Sequence, residues 1–216
     1  MVINGKNILV IIAHPDDETI GCGGFISKAS ALNANCKVLL PIIRGDVRGI
    51  ENWEKLKQQL NDACHIIGAE LIIPETMVED LTAEINVHQI YSIINTYVQW
   101  ADVVVTHWNG DSHQAHRAVA RAVEVATRPF RTRKTVMFFE IPTSTDQAFN
   151  YTFSPNFFVG LNAGNVTQKK LAMSKYDTED EAGRTPDSLE NLMRLRGSQT
   201  GQEFAEAFII ARHFLD

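Results

Sequence analysis

A cluster of ionisable residues stands near the start of the chain, directly after a short apolar run at residues 8–13. The cluster consists of His14, Pro15, Asp16, Asp17 and Glu18. One imidazole and three carboxylates at the end of a buried strand are costly unless a partner compensates their charge, and a divalent cation does so most directly. The alternative is a solvated turn in which one Asp caps the following helix. Four ionisable groups within five positions favour the metal site.

His14 and Asp17 have the side-chain types that catalytic zinc binds, since such sites combine a few histidine and carboxylate ligands and keep one position for water. Asp16 would then lie beside that water without binding the ion. In α/β proteins, chemistry of this kind sits just past the carboxyl ends of the strands. The first cluster therefore predicts a metal site in which two adjacent carboxylates have different tasks.

A second polar cluster follows residues 101–106, which read as another buried strand. His113 and His116 stand three residues apart at the start of a predicted helix, so both rings can share one helix face. Because parallel strands end at the same sheet edge, this cluster and the first are expected to converge. His107 is a competing ligand that we rank lower. The alternative for the pair, two surface histidines beside a helix cap, is disfavoured by the strand-end position.

Strand and helix signals alternate along most of the chain. Predicted strands lie at residues 8–13, 37–43, 70–74, 101–106 and 135–140, and predicted helices at residues 19–32, 51–68, 84–99 and 114–127. This alternation indicates βαβ units and a mostly parallel sheet. Beyond it, we predict a short strand at 157–161, helices at 166–175 and 186–196, and a closing segment near the core at 203–208. Pro41 predicts a local irregularity or a sheet-edge position in the second strand.

Composition narrows the class of protein. The chain has 216 residues, of which 44% are hydrophobic and 21% charged, so we expect one domain over residues 1–216. The formal charge of −6 argues against a nucleic-acid binder that neutralises phosphates. Three cysteines without a C-x-x-C pattern indicate neither a disulfide framework nor a cysteine zinc site, which fits the cytoplasm. The apolar runs are too short for a membrane span, and we see no export signal.

The two polar clusters resemble the motifs of one enzyme family. The segment AHPDDETIGCGG at residues 13–24 is similar to the signature A-H-P-D-D-E-x-x-G-x-G-G of LmbE-like or PIG-L-like deacetylases. His113-Gln-Ala-His116 resembles their second motif, usually H-P-D-H, and RGSQTGQEFAEAF near the end of the chain also matches the family. The resemblance covers nearly the whole chain. It implies an α/β fold, a Rossmann-like three-layer sandwich with a mostly parallel sheet.

The resemblance also implies an activity and a role for each site residue. The expected reaction is zinc-dependent hydrolysis of an N-acetyl group from an N-acetylglucosamine-type amino sugar or glycoconjugate, by attack of a zinc-bound water. His14, Asp17 and His116 would bind the metal, which is commonly Zn²⁺ and in some relatives another divalent ion. Asp16 would be the general base, and His113 would stabilise the oxyanion. Relatives of this kind often assemble as trimers or hexamers.

Three positions depart from the family pattern. Ala115 stands where the family usually has Asp, which removes a carboxylate neighbour of His113, and Gln114 replaces the usual Pro. The loop that begins at Arg44 reads Arg-Gly-Asp instead of the Asn-Gly-Glu type. Arg44 and Arg48 are candidates to contact an anionic group of the substrate, and surface charges are the equal alternative.

Two other functions compete with the deacetylase. The first is a metal-retaining sugar-binding protein of the same fold without catalysis, which the missing Asp at position 115 favours. The second is a dinucleotide-binding protein, suggested by glycines after the first strand. We rank the second low because the pattern G-x-G-x-x-G is absent and the acidic cluster would repel a pyrophosphate.

Overall fold

A twisted sheet forms the centre of the molecule. The computed structural model describes residues 2–45, 47–149, 152–177 and 183–215, without the side chains of residues 46–50. The strands are β1 (Asn7–Ile11), β2 (Asn35–Leu39), β3 (Ile42–Ile43), β4 (Glu70–Ile72), β5 (Val78–Glu79), β6 (Val103–His107), β7 (Thr135–Phe139), β8 (Phe157–Leu161) and β9 (Phe204–Arg212). The helices are α1 (Asp17–Ala31), α2 (Val47–Ile67), α3 (Val87–Trp100), α4 (Gln114–Ala126), α5 (Ala163–Met173) and α6 (Pro186–Ser198).

The strand order determines where the sheet has its topological switch point. The order across the larger sheet is β4-β2-β1-β6-β7-β9-β8, and its pairs from β4 to β7 are parallel. Strand β9 runs antiparallel to both β7 and β8. The chain leaves β1 toward β2 on one side and later returns to place β6 on the other side. Strands β1 and β6 therefore flank the topological switch point, where α/β proteins bind ligands outside the carboxyl ends of the strands.

Alternate residues of β1 face two different apolar layers. Ile8 and Val10 belong to a buried cluster with side chains from α1, α2, α5 and α6. Leu9 and Ile11 belong to a second cluster with side chains from α3 and α4. Because both faces of the sheet are covered, its central strands are continuous apolar runs. The predicted three-layer fold with a mostly parallel sheet is confirmed.

Two predicted boundaries are wrong for identifiable reasons. The strand predicted at residues 37–43 is two strands, because Pro41 lacks the N–H that a continuing ladder needs. Strand β3 instead pairs with β5 in a separate two-stranded sheet, so Pro41 marks an irregularity and not a sheet edge. The third helix was predicted from residue 84, but Asp80–Ile85 form a 3₁₀ helix and α3 begins at Val87.

Helix α1 is kinked at Cys22, where φ is −152° and ψ is 21°. The kink leaves backbone groups without helical partners. The Glu206 carboxylate accepts hydrogen bonds from the N–H groups of Gly24 at 2.8 Å and Phe25 at 2.6 Å. The Lys169 ammonium donates to the carbonyl of Ile20 at 2.8 Å. Buried backbone groups need such partners, so α5 and β9 fix the course of the helix that carries the acidic cluster.

Glycines allow α1 to lie close to the sheet. A Cβ atom at Gly21 would lie 2.3 Å from the ring of Phe139, and one at Gly24 would lie 2.5 Å from Leu161. Cys22 between them is fully buried, as expected of a small apolar side chain. Within the described ranges, none of the helices combines the length and apolarity that crossing a membrane requires.

Candidate metal centre

The two polar clusters meet at the switch point between β1 and β6. His14, Asp16 and Asp17 follow β1, while His107 ends β6 and His116 lies in the first turns of α4. The backbone N–H of Ala13 lies 3.0 Å from Nε2 of His107, which joins the ends of the two strands directly. The predicted convergence of the clusters is therefore present in the structure.

Asp17 lies at the centre of the site and is 2% exposed. Its Oδ2 accepts hydrogen bonds from the N–H groups of His14 at 2.7 Å and Ala13 at 3.2 Å. Burial alone would raise the pKa of Asp17, but the neighbouring imidazoles of His107 and His116 hold it well below its usual value. Asp17 is therefore a fixed, ionised carboxylate.

Two histidine rings face this carboxylate from opposite clusters. Nδ1 of His14 lies 3.7 Å from Oδ2 of Asp17, and Nε2 of His116 lies 3.5 Å from Oδ1. The other nitrogen of each ring faces a further carboxylate. Nε2 of His14 lies 3.7 Å from Asp80, and Nδ1 of His116 lies 3.2 Å from Asp111. Histidines that ligate metals are commonly oriented by a carboxylate at the second nitrogen, so both rings have the surroundings of metal ligands.

The same region contains two overlapping sets of ligand atoms, each set lying within 4.8 Å. One set consists of His14, His113 and His116, and the other of Asp17, His107 and His116. Nitrogen and carboxylate donors in a buried pocket suit a zinc-type ion. The donor chemistry at this site therefore fits the divalent metal that the sequence predicts.

His107 lies among the candidate ligand atoms, although the sequence analysis ranked it below the other histidines. Its ring stacks on His116 with centroids 3.9 Å apart, and its Nε2 lies 3.3 Å from Asp17. Burial, followed by the proximity of His116, lowers the pKa of His107 to about 4, so the ring is neutral at pH 7. The ring is fully buried, and its Nδ1 has no hydrogen-bond partner within the described part of the chain.

Asp16 occupies the N-cap position of α1, but its side chain does not cap the helix. Its side chain makes no capping hydrogen bond, and its backbone has a φ of 111°, a region that non-glycine residues rarely adopt. The carboxylate instead faces a small cavity and lies 3.4 Å from Nη1 of Arg184. Burial, followed by the charge of Asp17, raises the pKa of Asp16 well above its usual value. Adjacent carboxylates thus occupy different environments, as predicted.

His113 is held as a neutral ring. Its Nδ1 accepts the backbone N–H of Ala115 at 3.2 Å, which assigns the ring proton to Nε2. Burial, followed by the proximity of His14 and His116, lowers the pKa of His113 to about 3. Asp111 accepts the backbone N–H of His113 and contacts the ring of His116. Ala115 itself is fully buried in the apolar cluster beneath α4.

The cavity at the site has a volume of about 90 Å³. Its lining residues are His14, Asp16, Asp17, Arg44, Asp80, His113, His116 and Arg184. Arg44 therefore lies at the cavity, and its contact with substrate stays a prediction. The side chain of Arg48, the other candidate, is outside the described residues.

Three site residues were missed by sequence reasoning or found only in part. Asp80 lies in the 3₁₀ helix, where no periodic pattern predicts its direction. Arg184 is 168 positions from Asp16 in the chain, so their contact has no local signal. Asp111, two residues before His113 in the chain, was not assigned a role, whereas its Oδ2 accepts the hydroxyls of Ser144 and Thr145. The polar loop after β6 was the signal that could have identified it.

Comparisons with known proteins identify the family of this chain. Residues 9–127 match the family described as PIG-L, GlcNAc-PI de-N-acetylase. The chain is 25% identical over 178 residues to the uncharacterized deacetylase YaiS of Escherichia coli (strain K12), which covers 79% of this chain and 90% of that protein. The N,N′-diacetylchitobiose deacetylase from Pyrococcus horikoshii is similar with a TM-score of 0.69 and 17% identity, covering 95% of this chain and 83% of that one.

GalB, the 4-carboxy-2-hydroxymuconate hydratase from Pseudomonas putida KT2440, is also similar, with a TM-score of 0.69, 15% identity and 98% coverage of both chains. At such identities a shared structure shows the fold alone, and this fold is found in both a deacetylase and a hydratase. The family match decides the classification, because it spans more than half of the 216 residues and includes both polar clusters. The chain belongs to the PIG-L family of GlcNAc-PI de-N-acetylases.

Proposed function

We propose that this protein is a metal-dependent N-deacetylase that removes the acetyl group from an N-acetylglucosamine-type amino sugar. The observation that carries the proposal is that Asp16 and Asp17 have different neighbours. The Asp17 carboxylate faces two histidine rings, whereas that of Asp16 faces the cavity beside Arg184. A metal-dependent hydrolase can use one carboxylate to bind the metal and another for proton transfer.

His14, Asp17 and His116 would hold the ion, with Zn²⁺ as the proposed metal. We choose this set because His14 and His116 both face Asp17 while Asp80 and Asp111 face their opposite nitrogens. When bound, such an ion lowers the pKa of water and polarises the amide carbonyl. His107 would help to hold the side chains of His116 and Asp17 in place through its contacts with both.

Asp16 and His113 would perform the proton transfer and the charge stabilisation. Asp16 accepts a proton from water as the water attacks the acetamide carbonyl, and later returns it to the leaving amine. Burial, followed by the charge of Asp17, raises the pKa of Asp16, which makes this carboxylate a stronger proton acceptor than an exposed one. His113 keeps Nε2–H as a donor, which can hydrogen-bond the oxygen on which negative charge develops. A neutral imidazole performs this task without adding a second positive charge beside the metal.

The family and one structural neighbour support the proposed substrate class. The family description names GlcNAc-PI, and the Pyrococcus neighbour is named for N,N′-diacetylchitobiose. Both of these compounds contain N-acetylglucosamine units. Arg44 lines the cavity and is our proposed contact for the rest of the substrate. We also propose a cytoplasmic location, supported by three free cysteines that are all buried.

A deacetylation screen tests the proposal. Zinc-loaded protein is incubated with N-acetylated amino sugars, and both free amine and acetate are measured, since hydrolysis must release them in equal amounts. The matched controls are metal-free protein and the zinc-loaded Asp16→Asn variant. Equal release of both products by the wild type alone supports the proposal. Zinc binding with no release from a broad panel would instead favour the non-catalytic sugar-binding protein.

A further inference from the structure

Arg184 joins the cavity carboxylate to a loop of the opposite wall. Its Nη1 lies 3.4 Å from Oδ2 of Asp16, and its Nε donates to the hydroxyl of Thr143 at 3.0 Å. The side chain of Asp16 is 3% exposed and that of Arg184 is 21% exposed. The guanidinium therefore contacts a deeply buried carboxylate while it is anchored by the segment that follows β7.

The local backbone does not by itself explain where the Asp16 carboxylate points. A non-glycine residue with a φ of 111° persists only when its surroundings hold it. The N–H of Asp16 donates to Glu18 at 3.2 Å, and its carbonyl accepts the N–H groups of Thr19 and Ile20. These contacts fix the main chain, but the side chain makes no hydrogen bond to the helix end. The contact with Arg184 therefore supplies a restraint on the carboxylate that the helix does not provide.

Two residues next to Arg184, one in the chain and one in space, have positive φ. Thr143 has a φ of 73° and Gly183 a φ of 91°. A Cβ atom at Gly183 would lie 2.8 Å from Cγ2 of Thr143, so the backbone of Gly183 lies close to the side chain of Thr143. The close approach brings Nε of Arg184 to the hydroxyl of Thr143.

We propose that Arg184 is a positioning residue that holds the Asp16 carboxylate toward the cavity. The proposal rests on the proposed function, in which Asp16 is the general base. Loss of Arg184 should lower kcat and leave KM and zinc content close to those of the wild type. A residue that bound substrate would instead change mainly KM. Misplacement of a reacting group by about 1 Å costs roughly 100-fold in rate, which sets the scale of the expected loss.

The test compares Arg184→Gln, Arg184→Lys and Thr143→Val in the zinc-loaded protein. We expect Arg184→Gln to lower kcat by about 10-fold to 100-fold. Arg184→Lys should recover part of this loss, because an ammonium can face Asp16 but has no Nε to donate to Thr143. Thr143→Val should give a smaller loss than Arg184→Gln. Arg194→Gln is the matched control, since Arg194 is an exposed arginine of α6 that pairs with Glu190.

Two further measurements separate the outcomes. Adding Arg184→Gln to Asp16→Asn should cause no further loss of kcat, and the shifts in Tm of these two substitutions should be non-additive because the residues are in contact. A wild-type kcat in Arg184→Gln, or a raised KM with unchanged kcat, overturns the positioning role. If the wild-type protein hydrolyses no N-acetylated sugar, the proposed function fails. The Tm shifts then still test the contact between Arg184 and Asp16, and additive shifts would reject it.

Discussion

Lys169 and Glu206 form a buried ion pair beneath the kinked helix that carries the acidic cluster. Nζ of Lys169 lies 2.6 Å from Oε1 of Glu206, and the two side chains are 2% and 4% exposed. Each partner also satisfies backbone groups of α1, namely those of Ile20, Gly24 and Phe25. The pair therefore links three distant parts of the chain, and removing one partner leaves the other charge buried and unpaired.

Lys169→Met should lower the free energy of unfolding by about 3–5 kcal/mol, the cost typical of breaking a buried ion pair from one side. The double variant Lys169→Met with Glu206→Gln should recover part of this loss, because the amide stays uncharged and still offers an oxygen to α1. The neighbouring Lys170→Met is the control, since the ion pair of Lys170 with Glu190 is more exposed and should contribute less than about 1 kcal/mol. Denaturant unfolding measures all four proteins. Equal losses for the two lysine substitutions would contradict this account.

The proposed ligand set predicts which single substitutions remove the metal. His14→Ala, Asp17→Ala and His116→Ala should abolish stoichiometric zinc binding, whereas His113→Ala should keep it. Asp80→Asn and Asp111→Asn should weaken zinc binding by about 10-fold to 100-fold, because these carboxylates orient the two ligand rings. Zinc titration with elemental analysis gives the affinities. Loss of zinc in His107→Ala together with retention in His14→Ala would show that Asp17, His107 and His116 bind the metal instead.

Asp16 should be needed for turnover and dispensable for zinc binding. Asp16→Asn keeps the shape of the side chain but cannot accept the proton, so kcat should fall by about 10² to 10⁴ at full zinc occupancy. Steady-state kinetics on zinc-loaded protein, with the metal content measured in the same sample, provides the test. A kcat comparable to that of the wild type would exclude Asp16 as the general base.

The unusual backbone of Asp16 leads to a separate prediction about stability. Glycine adopts positive φ without the steric cost of a Cβ atom, so Asp16→Gly should be more stable than Asp16→Ala by about 1 kcal/mol. Both variants lack the carboxylate, so their difference isolates the backbone. Chemical denaturation of the metal-free proteins measures it. If Asp16→Ala is at least as stable as Asp16→Gly, the backbone at this position is not strained.

The three cysteines should be unreactive in the folded protein. Burial raises the pKa of Cys36 to about 12 and the pKa values of Cys22 and Cys64 well above 9. A raised thiol pKa means that the reactive thiolate is not populated near neutrality. Iodoacetamide at pH 8 should therefore label all three cysteines only after denaturation, as read by mass spectrometry of the intact chain. Rapid labelling of native Cys22 would contradict the buried, non-nucleophilic role assigned to it.

The sequence predicted where the site lies, but it did not predict all of the residues that form the site. The convergence of the first cluster with His113 and His116 follows from two general rules, that apolar runs ending in polar turns are strand ends and that parallel strands end at one edge. The choice of His14, Asp17 and His116 as ligands comes from the family resemblance and stays a prediction. Asp80 and Arg184 could not be found in this way. The first lies in a 3₁₀ segment without a period, and the second reaches Asp16 from 168 positions away.

In the fold too, features that depend on neighbouring residues were predicted, and features that depend on distant residues were missed. The alternation of apolar and amphipathic runs gave the parallel strands and the helices on both faces of the sheet. The sequence did not predict that β9 inserts antiparallel between β7 and β8, because strand pairing depends on contacts between distant residues. The kink at Cys22 was missed for the same reason, since the groups that satisfy it come from Lys169 and Glu206.

The neutral state of His113 leads to the last prediction. Its pKa is lowered from 6.5 to about 3, first by burial and then by His14 and His116, so the ring carries no positive charge above about pH 4. Deprotonation of His113 therefore cannot cause a loss of activity between pH 6 and 9. We expect His113→Gln, which keeps a neutral N–H donor, to have a lower kcat than the wild type but a kcat/KM profile of the same shape. His113→Leu, which lacks a donor, should lose more activity, by about 10² to 10³. The profiles are measured on zinc-loaded proteins from pH 5 to 10, with zinc content checked at each end. If the wild type shows a falling basic limb that His113→Gln lacks, His113 acts as an imidazolium and its neutral assignment is wrong.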